Sequence, residues 1–269
     1  MRADLIKFFR VWQYGKVSTT ALCCARDEAR TRERPELAIT DTARINTIAG
    51  TARRNLPAHE LVYRQLRRMV LFGDLTPGQA VTIQGLTERL GVGMTPVREA
   101  IRRLVPQGAL ESRGNRRVSV PLLDRQDIDQ IIIARQWLDP HLALKACERA
   151  VVADVEKITA IDEALDAAIR TGDLRGYLEQ NYRFHTHIYT TADAPILAEM
   201  AEALWLRFGP SMRVVCGRMG TQNLPDNHKA TIDAMRARDA EGAARAIRED
   251  VLQGMEQLRL SIDSNGAAV

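Results

Sequence analysis

From residue 57 onward, apolar positions recur at helical spacing along most of the chain, and each break in that rhythm marks where an element ends. Leu61, Leu66, Met69 and Val70 predict a helix of about four turns stopped by Gly73. Pro77-Gly78 reads as a turn, and Val81-Thr82-Ile83 as a short extended piece able to pair with a later hairpin. Leu86 and Leu90 lie four apart, so a short helix ends at Gly91, where glycine readily takes the left-handed cap. Thr95 is placed to cap the next helix, with Pro96 at its first position and Glu99 in its first turn. Val97, Ile101 and Leu104 form its inward stripe and leave Arg98, Arg102 and Arg103 off it. Gly108–Ser112 and Arg116–Val120 predict two short strands around a Gly114-Asn115 turn.

Past a linker at 121–124 the pattern is helical throughout. Ile128, Ile131, Ile132, Arg135 and Leu138 mark one helix, and Asp139-Pro140 restarts the next as cap plus first-turn proline. Ile158, Ile161, Leu165 and Ile169 mark a helix closed by Gly172, and Asp173 opens one through Tyr189. Ala194-Pro195 is a break, Ile196 to Cys216 a long helix, and 217–225 a loop. Asp226 begins a helix to Met235, and Asp239 caps the last, which ends near Leu260. Six or seven helices on short connections make an antiparallel bundle. The fold is therefore mainly α. A winged helix-turn-helix spans residues 57–122 and an all-α antiparallel helical bundle residues 123–262, with a tail at 263–269. Residues 1–56 lack a sustained apolar stripe and read as a disordered or poorly ordered extension.

Charge sharpens this division. Residues 1–57 carry +5, residues 58–123 another +5 and the remainder −6, so a basic front suited to a polyanion precedes an acidic body. Two short helices joined at a tight glycine turn, followed at once by a basic hairpin, form a DNA-reading head. Arg98 and Arg102, with Thr95 and Pro96 at the helix start, face bases and phosphates. Arg103, Arg116, Arg117 and the Gly114-Asn115 turn track the backbone or the adjacent minor groove. Cys23, Cys24, Cys147 and Cys216 have neither zinc spacing nor a secreted framework, which predicts reduced thiols and a cytoplasmic protein. No apolar run is long enough to span a bilayer.

Asn181 and His185 lie four apart on one helix face, and His228 and Asp250 fall on two later helices. In a bundle, such side chains can converge on a metal; equally, the histidines can be hydrogen-bonded to their neighbours. Arg135 projects from an apolar helix, so a buried guanidinium there needs a partner, and a bundle carboxylate would serve. Catalysis has little support: no nucleophile elbow, phosphate-cradling glycine loop or His-Glu-x-x-His pattern is present, which leaves a metal-dependent hydrolase without its parts. An architectural DNA-binding dimer without a ligand is the other alternative.

The segment G-V-G-M-T-P-V-R-E-A-I-R-R-L-x-x-x-G-A-L resembles the DNA-binding domain of GntR-type bacterial transcriptional regulators, over about residues 58 to 122. Where that family usually carries Ser-Arg, this chain has Gly93-Met94. The helices behind it, with Arg135-x-x-Leu138-Asp139, Asn181-x-x-Phe184-His185, His228 and Arg248-Glu249-Asp250, resemble the all-helical FCD-type ligand-binding domain of the FadR/VanR-like branch. The resemblance implies a homodimer on a pseudo-palindromic operator, a repressor controlled by a small acidic metabolite. It further implies a divalent metal (zinc, nickel or manganese) held by Asn181, His185, His228 and Asp250, where the family usually has one Asp and three His. Arg135, with Arg213 as a second candidate, would grip the effector carboxylate bidentately.

Overall fold

The computed structural model describes residues 56–113, 117–219 and 226–263. Its first part is built on α1 (Ala58–Leu71), which turns Val62, Tyr63, Leu66, Met69 and Val70 inward and ends before Gly73 at φ 67°. β1 (Ala80–Val81), α2 (Ile83–Leu90), α3 (Met94–Leu104), β2 (Glu111–Arg113) and β3 (Arg117–Ser119) follow. The sheet runs β1-β3-β2, antiparallel throughout, with Ala80 opposite Ser119 and Ser112 opposite Val118. The strands are shorter than the sequence suggests. Thr82 is not part of β1: its hydroxyl caps α2, accepting from the Gly85 N–H at 3.0 Å, and Ile83 is already helical. Gly91 leaves α2 in the left-handed region, as expected.

The start of α3 differs from the sequence reading. Gly93, extended at φ −72° and ψ 164°, occupies the cap position, and Met94 opens the helix. Thr95 therefore caps nothing, and Pro96 is the third helical residue. Its missing N–H still falls among the first four amides, which have no helical acceptor, so the helix loses no bond. Glu99 lies beyond the first turn. The expected turn residues Gly114 and Asn115, together with Arg116, lie outside the described residues, as does the extension apart from Leu56.

The second part comprises α4 (Arg125–Arg149), α5 (Val152–Thr171), α6 (Leu174–Thr191), α7 (Pro195–Met219), α8 (Asn227–Arg236) and α9 (Ala240–Asp263). Aspartates set their starts: Asp173, Asp226 and Asp239 accept from the N–H groups of Gly176, Lys229 and Gly242 at 2.9, 3.0 and 2.8 Å. α9 lies along α4 and α8, α5 pairs with α6, and α7 reaches from the bundle to α1.

Asp139-Pro140 does not restart a helix. α4 runs through it without a break, because the proline removes only one N–H, and Leu142, Ala143 and Ala146 continue the inward face on its far side. Asp139 is fully buried as an acceptor, not exposed as a cap. α7 likewise passes through Gly209-Pro210 and continues beyond Gly217 to Met219.

The head and bundle meet backbone to backbone. A Cβ on Gly209 would lie 2.5 Å from the Leu71 carbonyl oxygen, so only glycine permits this approach of α7 to the end of α1. Around this point Arg67 donates to Glu202 at 2.6 Å and to the Tyr182 hydroxyl at 3.1 Å, and Arg175 reaches Asp74 at 2.5 Å. Arg213 donates to the Phe72 carbonyl at 3.3 Å. Partly exposed ion pairs contribute little each, so the close packing at Gly209 carries most of the junction.

Candidate metal and ligand site

α6 places Asn181 and His185 one turn apart, α8 offers His228 in its first turn, and α9 brings Asp250 between the two imidazoles. Asp250 Oδ2 lies 3.1 Å from His185 Nε2, and its Oδ1 lies 3.5 Å from His228 Nε2. One ligand atom from each of the three residues falls within 4.8 Å of the others. Asn181 lines the same cavity. Each histidine has a carboxylate partner, His185 in Asp250 and His228 in Asp162, and Asp250 also lies within ion-pair distance of His228.

Asp162, on α5, fixes the orientation of His228. Its Oδ1 lies 3.3 Å from His228 Nδ1, and Phe184 stacks on the ring with centroids 3.8 Å apart. A carboxylate on Nδ1 holds the tautomer in which Nε2 faces Asp250, the arrangement metal-binding imidazoles commonly have. His185 has no such support: among the described residues its buried Nδ1 has no hydrogen-bond partner. The protonation equilibria diverge accordingly. Burial depresses His185, outweighing its bond to Asp250. Burial also works against the charged form of His228, but the Asp250 charge and the Asp162 hydrogen bond overcome it and raise its pKa. Asp250 falls to about 2: burial opposes ionisation, but His228, His185 and Arg135 more than compensate.

Arg135, 4% exposed, lies over the rings of Trp205 and Phe208, with its guanidinium carbon 5.0 and 4.7 Å from their centroids. Its Nε donates to Asp139 Oδ2 at 2.9 Å, so the carboxylate partner anticipated from the sequence is present. Tyr189 donates to the other oxygen of Asp139, and Trp205 Nε1 donates to Tyr189 at 3.1 Å. Arg135 Nη2 is buried and has no hydrogen-bond partner among the described residues. Arg135, Asp162, Asn181, His185, His228, Asp250, Trp205 and Phe208 line a cavity of about 150 Å³, together with Leu165, Ile169, Tyr177, Met212 and Met255.

Arg213, the second candidate for an effector carboxylate, does not line this cavity; it packs over Gly73 at the head. His187 is also buried, but its Nε2 bonds the Asp154 carbonyl at 2.9 Å, a structural role. Asp162, Asp139 and Tyr189 are absent from the residues singled out for a site by sequence. Asp162 could have been found there, as a carboxylate inside the Ile158, Ile161, Leu165 stripe, where an ionised group needs a partner.

On the head, α3 buries Val97, Ala100, Ile101 and Leu104 and exposes Met94, Thr95, Arg98 and Arg102. Arg102 is 78% exposed with a loose contact to Glu99 at 3.3 Å, so it can exchange that partner for a phosphate. Arg103 is engaged within the protein: it donates to Glu60 at 2.8 Å, and its guanidinium carbon lies 3.5 Å from the Tyr63 ring centroid. That clasp ties α3 to α1 and argues against Arg103 tracking the DNA backbone. Arg117 is exposed on β3.

Comparison with known proteins matches both parts. Residues 58–120 fit the family described as bacterial regulatory proteins, gntR family, and residues 130–253 fit the FCD domain. The chain is 30% identical to the HTH-type transcriptional regulator McbR of Escherichia coli over 72% of its own length and 89% of McbR. It is 25% identical to the HTH-type transcriptional repressor GlaR of the same organism, over 76% of this chain and 96% of GlaR. The solved structure of E. coli McbR/YncC superposes with a TM-score of 0.72 at 28% identity, covering 77% of this chain and 99% of that one.

Proposed function

Because the chain belongs to the GntR family of bacterial transcriptional regulators and carries an FCD domain behind its DNA-binding head, we propose that it is a repressor whose operator binding is set by a small carboxylate in the bundle cavity. One observation carries this reading: Arg135 Nη2 is buried and unpaired among the described residues, beside a cavity that also holds His185, His228 and Asp250. An unsatisfied guanidinium N–H in such a place is costly unless a ligand completes it, and a carboxylate oxygen fits. The donor set suits a divalent ion, because two imidazoles and a carboxylate already converge, with Asn181 close by as a neutral oxygen donor. His185 Nε2, His228 Nε2 and Asp250 would hold the metal, with Asp162 keeping His228 in register. When bound, the ion would supply a Lewis-acidic site for a second carboxylate oxygen.

The route from cavity to head is a chain of ring contacts. Trp205 lines the cavity 5.2 Å from His185; Tyr182 meets Trp205 edge-on at 5.4 Å; Phe72, just past α1, meets Tyr182 at 5.8 Å. A ligand that shifts Trp205 acts through these rings and the Gly209 contact on the end of α1, and so on the orientation of α3. An architectural protein would have no use for such a cavity. The reading is tested by fluorescence anisotropy on operator DNA with and without Mn²⁺ plus a short carboxylic acid. Acid that leaves DNA affinity untouched in every combination rejects it.

Two further predictions concern the DNA complex. Arg98→Ala is expected to cost about 1–3 kcal/mol of specific binding and relax preference at one base pair, read by anisotropy on an operator series. A homodimer on a pseudo-palindrome needs a joining face, and Ile133 and Trp137, one turn apart on α4, are 58% and 77% exposed. Large apolar side chains left together in water favour a second copy. Trp137→Glu should shift the protein toward monomer in light scattering while leaving helical circular dichroism unchanged.

A further inference from the structure

The cavity is polarised along its depth. At the floor lies Arg135 with an open N–H, and the metal-competent triad stands beside it. Asp166 and Asp226, the more exposed of its carboxylates, line the same cavity, as does the buried Asp162 beside His228. Lys229 is the cation among them: its Nζ lies 2.5 Å from Asp226, 2.9 Å from Asp166 and 3.7 Å from Asp162. Its ammonium donates to Asp226 and Asp166 and lies within ion-pair distance of Asp162, so its charge is already engaged before an anion arrives. Two carboxylates, Asp166 and Asp226, against one ammonium leave this outer side net negative, whereas Arg135 needs an anion.

Resting on the acid-binding reading above, we propose that the pocket selects a short acid whose far end donates hydrogen bonds, an ammonium or hydroxyl group, and rejects a second carboxylate. The carboxylate end completes Arg135 Nη2. The donor end meets the free acceptor capacity of Asp166 and Asp226, both of which have lone pairs beyond those Lys229 uses. A dicarboxylate of the same length would place its second charge against like charges in a poorly solvated cleft, where repulsion is weakly screened. Size agrees: an apolar cavity of about 150 Å³ accommodates benzene, so the ligand has about six non-hydrogen atoms.

The test is calorimetric titration of the full-length protein, loaded with Mn²⁺, with propanoate, 3-hydroxypropanoate, β-alanine and malonate. At least one of the two donor-ended acids should bind about tenfold or more tighter than malonate. The variant D166N/D226N keeps an Asn cap on α8, so it should fold and retain its Mn²⁺ affinity. In it, malonate should come within about threefold of the donor-ended acids. Malonate binding as tightly as they do in the unmodified protein overturns the proposal and leaves the acid pocket standing. Discrimination that persists unchanged in D166N/D226N also overturns it, because the selection would then arise elsewhere. If none of the four acids binds, the acid-binding reading itself falls, and the proposal with it.

Discussion

Asp139→Ala should lower the free energy of unfolding by about 3–5 kcal/mol, the cost typical of stripping one partner from a buried ion pair. Asp139 is fully buried, and it accepts from Arg135 and from the Tyr189 hydroxyl, which itself receives Trp205 Nε1. Without it, a guanidinium that already has one unpaired N–H would be left charged in the interior. It could not escape by deprotonating, because a guanidinium keeps its proton at any ordinary pH. Replacing both partners by apolar residues of similar volume, Arg135→Met with Asp139→Leu, should recover most of the loss while abolishing acid binding. Urea titrations of the three proteins decide it. Equal instability in the single and double variants would mean that packing, not the uncompensated charge, sets the cost.

The second large effect is expected from the metal. Mn²⁺ at about a hundred times its dissociation constant should stabilise the fold by about 2.7 kcal/mol, and Asp250→Ala should lose that gain. Protons compete for the same atoms, so the gain depends on pH. His228 is raised above its ordinary 6.5, so on acidification it protonates first and metal affinity falls before the ordinary histidine range is reached. The metal-free protein behaves differently. His228, with its raised pKa, contributes stability that is present below 6.5 and lost as pH rises through its folded value. His185, depressed by burial, contributes the opposite slope, with stability lost as pH falls below 6.5. Asp250, held at about 2, contributes stability above the ordinary 3.8 that disappears as pH falls toward 2. In the metal-free protein the two histidines act on opposite sides of 6.5 and together favour a stability maximum near that pH, whereas the metal-bound gain should decline as the pH falls. Calorimetric scans at matched pH with and without Mn²⁺ separate the two profiles.

Much of this fold is legible in the chain because its signals are local. Asp173, Asp226 and Asp239 announce helix starts that need nothing beyond the next three amides, and Gly91 and Gly172 announce ends through their left-handed backbone. The stripe of Val97, Ile101 and Leu104 identifies the inward face of α3 and thereby its arginine face. Asp139-Pro140 shows where local reasoning fails. The pair has the chemistry of a helix start, but Tyr189, fifty positions later, supplies a buried partner that makes Asp139 an interior residue. His185, His228 and Asp250 are found by residue type, whereas Asp162 is hidden because its role depends on α5 lying beside α8. Arg213 and Arg103 are misplaced for the same reason: their partners, the Phe72 carbonyl and Glu60, belong to elements far away in sequence.

Gly209 is followed directly by Pro210, which has no amide to give the Leu206 carbonyl, so α7 is unlaced for one rung at the spot where it touches the head. Its cavity-lining half, with Trp205 and Phe208, and its following half, with Met212, are therefore joined through a compliant splice rather than a stiff rod. A small swing of one half need not drag the other through a whole helix of intact bonds, which lowers the work of reorienting the head from the bundle.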